Sequence, residues 1–379
     1  NISELNEECI SCIYSSDNYE FFTYDIDSFY YLVKNEYYKL ANFYLELKKK
    51  EIESYIIENK SNDKLLFKKL FERNRLDVIW FILMKMTNIP ANCFEFIKMT
   101  KIAIPPSIQS IGFNSFNGCS LLETISIPSS VTSIEGYTFN NCSKLIDITI
   151  PSSVKSIGEY VFSGCMSLKQ ITIPSSVTTI KNFAFDRCYS LKQVTFQIPS
   201  FLSEIGKGAF DKCMALSSIS IPTSVVSIGD FAFRGCSSLT SMLIPSSVSS
   251  IGKDFLNDCN KLNKVTIIQC NEKRVQCFQD NFLIYRWNPS HEFYDNLIWV
   301  KKDIKKAIIP SFIKIIGYSA FFKCSLLTSI SIPSSVTSIG SFTFFNCSLL
   351  TQILIASSVK SIGSNAFASC SSLKQIVIP

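Results

Sequence analysis

Pro151-Ser-Ser-Val-Lys-Ser-Ile-Gly-Glu-Tyr-Val-Phe-Ser-Gly-Cys-Met-Ser-Leu-Lys-Gln-Ile-Thr-Ile173 is a unit of 23 residues, and Pro174 begins it again. Registered on proline, the unit starts at Pro105, Pro128, Pro151 and Pro174. A two-residue insertion, Gln197-Ile198, moves the next start to Pro199, and Pro222 and Pro245 follow on schedule. Ile268 takes the next slot, Pro310 and Pro333 resume after an interruption, and Ala356 and Pro379 close the series. Self-similarity at a fixed period marks a repeat architecture and is read before anything else.

Each column of the unit has a physical reading. Leu168-x-x-Ile171-x-Ile173 ends in alternation, which predicts a short strand with Ile171 and Ile173 inward. Pro174 then blocks further pairing and turns the chain. Val177 and Ile180 point inward from the connecting segment. Glycine follows the isoleucine in most units, as at Gly158 and Gly229, which predicts a backbone turn that a side chain would strain. Ala184-Phe185 opens one turn of helix ending near Cys188. Phe116, Phe139, Phe162, Phe185, Phe210, Phe233, Phe321, Phe344 and Phe367 share one phase, with Leu256 the substitute. Such a column reads as a stacked core. One unit cannot bury its own apolar face, but stacked neighbours can, which gives a solenoid. Twelve strand slots between Ile104 and Ile378, neighbouring at about 4.8 Å, make a parallel sheet of about 53 Å.

The spacing Leu-x-x-Ile-x-Ile-Pro-x-x-Val-x-x-Ile-x-x-x-Ala-Phe-x-x-Cys resembles the BspA-like leucine-rich repeats of bacterial and protist surface antigens. The resemblance implies an α/β repeat solenoid: a right-handed leucine-rich-repeat solenoid with a concave parallel sheet. It also implies a cell-surface location, adhesion and protein binding. The slot that holds a hydrogen-bonding asparagine in many leucine-rich repeats is serine here, at Ser130, Ser153, Ser176, Ser224, Ser247, Ser335 and Ser358. These hydroxyls are expected to satisfy backbone groups at the turn.

The first hundred residues lack the 23-residue period. Apolar residues recur there at helical spacing, as in Leu32, Tyr37, Leu40, Phe43, Tyr44 and Leu47. Leu65 to Phe71 and Leu76 to Leu83 read as two short helices joined at Glu72-Arg-Asn-Arg75. This pair resembles the helix-turn-helix of an ankyrin repeat, with a fainter copy at Leu40-Ala-Asn-Phe-Tyr-Leu45 and without the usual Thr-Pro-Leu-His opening. The solenoid is therefore expected to follow a small all-α, ankyrin-like region. The competing reading is an unrelated helical cap over the first strand. The expected division is 1–92 helical, 93–268 a first repeat block, 269–303 a β-hairpin interruption, and 304–379 a second block that continues beyond the chain end.

Net charge is +6. It falls as −3 over residues 1–100 and +9 over the remainder, with no Lys/Arg block. That spread offers nucleic acid no dense basic patch. No run of 18 apolar residues is present to span a membrane. Ten of the 15 cysteines obey the repeat. One cysteine per unit at constant phase reads as a column of buried thiols, since their parallel directions oppose disulfide geometry. Cys9-Ile-Ser-Cys12 has metal-ligand spacing, but the one histidine is His291, far from it, and zinc needs about four ligands. No metal and no cofactor is expected.

Residues 269–309 carry no Phe/Cys column. Asn281-Phe-Leu-Ile-Tyr-Arg-Trp287 and Asn296-Leu-Ile-Trp-Val300 flank a turn-rich segment and read as a hairpin with a long loop. Similar hairpins interrupt BspA-like arrays. Tyr285, Trp287, Tyr294 and Trp299 are then either a recognition patch or a local core that seals the gap between blocks. Outward strand positions form two lines, and in the second, seven of ten are Ser or Thr. Gln170, Thr172, Gln193, Thr195, Ser218, Ser220, Lys264 and Thr266 are the candidate ligand contacts on this face. The competing reading is that threonine simply suits a strand.

Function narrows accordingly. One histidine, no Gly-rich phosphate loop and no clustered acids within the repeats argue against an enzyme. A non-enzymatic protein-binding scaffold at the cell surface, an antigen or adhesion protein, leads. An intracellular, cytoplasmic interaction scaffold is the alternative, favoured by the ankyrin-like segment and the many thiols. The partner is a host, matrix or cellular protein. Triplets at Asn59, Asn141 and Asn346 are possible glycosylation sites.

Overall fold

The computed structural model describes residues 63–72, 76–268, 275–278, 281–285 and 295–377. It is a parallel β-solenoid with little helix. The Leu-x-x-Ile-x-Ile segments form the expected strands, such as Gln170–Ile173 and Gln193–Phe196, parallel and in register with Ile171 opposite Val194. They pair in groups of two or three strands. One break falls at the Gln197-Ile198 insertion, between Gln193–Phe196 and Ser218–Ser220.

A second parallel ladder runs through what reads in sequence as connection. Two-residue strands, such as Ser156–Ile157, Thr179–Ile180 and Glu204–Ile205, join into an eight-stranded sheet from Asn88–Ile89 to Ser250–Ile251. Each turn of the solenoid thus makes two strands. Ile157, Ile180 and Ile205 are buried from this second side.

The predicted turn of helix before each cysteine is replaced by two successive β-turns. Tyr160 and Gly164, then Phe183 and Arg187, hold positive φ four residues apart. Alternate amides serve alternate partners. Tyr160, Phe162 and Gly164 donate to Asn182, Ala184 and Asp186 of the next rung, while Ser163 and Cys165 donate back to Tyr160 and Phe162. A helix would spend every donor within its own rung. This arrangement binds rung to rung and still pairs the backbone.

Inside the turns the phenylalanines stack nearly parallel. Ring centroids are 5.6 Å apart for Phe139 and Phe162, and 5.2 Å for Phe185 and Phe210. Each stacked pair adds about 0.5–1.5 kcal/mol to its area burial. Phe94 extends the column by one rung, 5.0 Å from Phe116, in a stretch whose sequence carries little of the repeat. The first rung begins at Asn88, within the segment read as helical.

Two helices, α1 (Asp63–Glu72) and α2 (Leu76–Met84), cap this end. Phe67 and Phe71 meet Phe94 edge-on at 4.7 and 5.9 Å. Ser107 Oγ donates to the Leu83 carbonyl at 3.1 Å, which ties the end of α2 to the first rungs. The packing is that of a cap and gives no ankyrin stack. The fainter copy at residues 40–45, and Cys9 with Cys12, lie outside the described residues.

The serine column bridges rungs as expected. Ser176 Oγ donates to Val154 O at 2.6 Å, and Ser224 Oγ to Leu202 O at 2.7 Å. The same bond forms at Ser130, Ser335 and Ser358. The glycine after isoleucine has a different cause from the predicted turn strain. Gly229 lacks a positive φ, but a Cβ there would lie 2.5 Å from Lys207 N and 2.7 Å from Gly206 C of the preceding rung. The constraint is close approach of two backbones.

The hairpin holds three described strands, Val275–Phe278, Phe282–Tyr285 and Asn296–Val300, the first unforeseen. Its residues divide between two cores. Val275, Leu283 and Trp299 join the core that runs back to Phe67, while Phe282, Ile284, Leu297 and Val300 join the core that runs on to Ala366. Alternation along a strand sends neighbours to opposite faces, so this sheet is a partition with a core on each side.

Candidate functional site

All eight strand-face candidates are exposed. Gln170 and Gln193 are register partners, as are Thr172 and Thr195. Ser218 and Lys264 both align with Ser241, and Ser220 and Thr266 both align with Leu243. Gln193 Nε2 donates to Thr195 Oγ1 at 3.3 Å along its own strand. The result is a flat row of amide, hydroxyl and ammonium groups at strand spacing. It can hydrogen-bond an extended partner, and nothing in it is arranged to cleave a bond.

The hairpin residues fare differently. Trp299 is 4 % exposed within the first core. That removes it from an exposed recognition patch and makes it part of the seal between blocks. Tyr285 lies in Phe282–Tyr285, opposite Val275 and Asn296. Trp287 and Tyr294 lie outside the described residues.

A third surface was not foreseen. The β-turns form a ridge, and on three consecutive rungs the small polar filler gives way. Met166, Tyr189 and Met214 follow the core cysteine where Ser120, Ser143 and Ser237 stand in neighbouring rungs. Asp186 and Asp211 follow the core phenylalanine where Asn117, Asn140 and Ser163 stand earlier. The signal was available as a local break in a repeat that is otherwise uniform, but it can be seen only when columns outside the strands are aligned.

Of these, Asp186 and Asp211 line an open groove of about 350 Å³, together with Arg187, Lys212 and Arg234. One wall is the row Tyr137, Tyr160 and Phe183, stacked at 4.7 and 4.9 Å. The row stops at Gly208, whose φ is +57° and whose missing Cβ makes room for the Phe183 ring. Asp211, 2 % exposed, binds Arg234 through both carboxylate oxygens. Asp186, 9 % exposed, accepts from Ser163 Oγ at 3.3 Å, and its nearest cation is Arg187 Nε at 3.7 Å. Burial first, then the Asp211 carboxylate, push the Asp186 carboxyl above its ordinary value, against Arg187, Ser163 and Lys212.

No group of His, Cys, Asp and Glu suited to a metal occurs among the described residues, nor any helix long and apolar enough to cross a membrane.

A family model described as BspA type Leucine rich repeat region matches the chain in 6 copies, over residues 87–199, 167–284 and 292–379. Among solved structures, a leucine rich cell surface protein of Faecalibacterium prausnitzii A2-165 superposes with a TM-score of 0.55 and 26 % identity. That match covers 77 % of this chain and 76 % of the other. A leucine-rich repeat protein of Eubacterium ventriosum ATCC 27560 does so with a TM-score of 0.54 and 24 % identity, over 62 % and 60 %. No curated protein sequence matches the chain.

Proposed function

The chain belongs to the BspA-type leucine-rich repeat family, and from that premise we propose that it is a non-enzymatic protein-binding scaffold exposed at a cell surface, in the manner of an adhesion protein or antigen. The observation that carries this reading is the strand face. Its outward residues align rung after rung, from Thr124 beside Asp147 to Gln352 beside Gln375. Such a surface offers hydrogen bonds at a regular spacing to an extended polypeptide. Rigid repeats hold it in place without an ordering cost on binding. Similarity to a structure described as a leucine rich cell surface protein supports the location.

The candidate contacts in this reading are Gln170, Thr172, Gln193, Thr195, Ser218, Ser220, Lys264 and Thr266. The divisions at 268 and 303 belong to the same proposal, with the hairpin between two binding blocks, while the first boundary moves to just before Asn88, where the first rung begins.

Impermeant biotin offered to unbroken cells tests the location. Labelling of the protein supports the surface reading. Protection, with its cysteines free after lysis, sinks it and leaves an intracellular scaffold. A double change of Thr172 and Thr195 to lysine, in a chain that still melts normally, is expected to abolish binding of any surface partner so identified.

A further inference from the structure

We infer that the strand face of the second block is a docking surface for residues 1–33 of this same chain. The inference begins with charge. Residues 304–379 carry six lysines and no Asp, Glu, Arg or His, whereas residues 93–268 carry both signs throughout. Lys305 and Lys306 are exposed at the first strand of the second block, Lys306–Ile308, and Lys374 is exposed just before its last, Gln375–Val377. None of the three has an ion-pair partner among the described residues.

The same face also breaks its polar line. In the first block the line reads Ser126, Thr149, Thr172 and Thr195. In the second, Ile308 beside Ser331 and Leu354 beside Val377 hold those positions. Ile308 is 75 % exposed and Leu354 56 %. Exposed aliphatic side chains among unpaired lysines fit an occupant that carries carboxylates and apolar groups together. A nucleic acid or a sulfated polysaccharide would answer only the lysines.

The chain itself holds such a segment. Residues 1–33, up to the first lysine at Lys34, contain seven acids, no base and eight aromatic residues. Asp17-Asn-Tyr-Glu-Phe-Phe-Thr-Tyr-Asp-Ile-Asp27 interleaves the two kinds most densely. The 29 residues from Lys34 to Asn62 can span about 95 Å, more than the sheet length of about 53 Å, so the second block is within reach. Single ion pairs at an exposed surface are weak and are screened by salt. Tethering offsets that weakness, because the segment meets this face at an effective concentration of about a millimolar. In dilute solution a second copy cannot compete with it. The docked segment covers the second block and leaves the strand face of the first block open. The inference does not depend on the contacts proposed there.

Acetylation of the full chain, read lysine by lysine by mass spectrometry, tests it. Lys169 and Lys192 stand exposed in the Lys305 column of the first block and serve as internal standards. The comparison is a variant with the seven acids before Lys34 changed to their amides. In dilute wild-type protein at low salt, Lys305 and Lys306 are expected to react at least about twofold more slowly than in that variant, since a millimolar effective concentration against a contact of millimolar strength fills the face half the time. About 1 M salt is expected to remove the difference. Leu354→Ser gives an exposed position the residue of the neighbouring rung and so keeps the fold. It is expected to speed both lysines and to leave Lys169 and Lys192 unchanged. Equal rates in wild type and the amide variant overturn the inference. So does slowing that disappears on dilution, which makes the occupant a second copy, or slowing that Leu354→Ser leaves intact, which assigns it to charge alone.

Discussion

The thiol of Cys188 donates to the carbonyl oxygen of Phe162, one rung back, across 3.1 Å. Cys142 does the same to Phe116, Cys165 to Phe139 and Cys236 to Phe210. The same carbonyl already accepts an amide within its own turn, as when Cys165 N donates to Phe162 O. The thiol takes the second lone pair. A column that reads as small apolar filler is thus also a ladder of donors.

Cys188→Ala is expected to lower stability by about 1–3 kcal/mol, through a lost donor and a small cavity. Cys188→Ser, which keeps a donor, is expected to cost less. Urea unfolding of the two variants decides whether the bond or the packing matters more; equal losses would assign the column to packing alone.

Burial also pushes the Cys119 thiol from 9.0 to about 12. The folded state therefore holds its proton where the unfolded chain releases it. Stability from this group is whole below pH 9.0, falls as pH rises, and is gone above about 12. Cys142, Cys165 and Cys213 are raised for the same first reason. A melting temperature that declines above pH 9, steeper in wild type than in Cys119→Ser, is the expected profile.

Changes at Asp186 and at the partner of Asp211 should differ in effect. The Asp186 carboxyl is raised in the fold, so its contribution is whole below the ordinary 3.8 and is lost as pH rises. At pH 7 it opposes folding. Asp186→Asn is thus expected to leave stability unchanged or slightly higher. Arg234→Ala strands the Asp211 carboxylate and is expected to cost about 1–3 kcal/mol. Thermal melts of both variants at pH 7 check the contrast.

Gly229→Ala puts a methyl against the Lys207 and Gly206 backbone. A loss of about 1–3 kcal/mol is expected from overpacking. Lys181 fills the equivalent slot with a long side chain, and Lys181→Ala should be neutral. Similar melting temperatures for the two variants would remove close approach as the reason for glycine.

The ridge also has a weak point. Phe231, Phe233 and Gly235 donate to the next rung, but among the described residues Asp254, Leu256 and Asp258 do not. Side chains cross that seam instead: Lys323 Nζ reaches Asp258 Oδ1 at 2.5 Å, and Lys253 lies over the Tyr318 ring at 5.8 Å. Amide exchange at 254, 256 and 258 should be much faster than at 231, 233 and 235. Equal protection would mean that the two cores are joined as tightly as any two rungs.

Much of this was legible in sequence because a repeat repeats its environment. The phase of Phe162, the alternation of Ile171 and Ile173, and the hydroxyl of Ser176 each stand in one local setting many times over. Periodicity therefore identified the strand slots, the stacked phenylalanines and the bridging serines. It misjudged Ala184-Phe185 as helical because a turn of helix and two linked β-turns bury the same side chains. The difference lies in where the amide of Phe162 finds its acceptor, and that acceptor belongs to another rung.

The sequence by itself determined the solenoid, its period, its core columns and its exposed Ser/Thr face, since these follow from burial pattern and chain chemistry within one unit. Tertiary structure decided what depends on two units at once. It set the second ladder through Ile180 and Ile205, the approach of Lys207 to Gly229, and the burial of Trp299 between two cores. It also gave Asp186 the Ser163 hydroxyl and Asp211 the Arg234 guanidinium as partners from other rungs. Residues about 23 apart in the chain become neighbours only when the coil closes, and the energy of a hydrogen bond or a carboxylate depends on what that neighbour is.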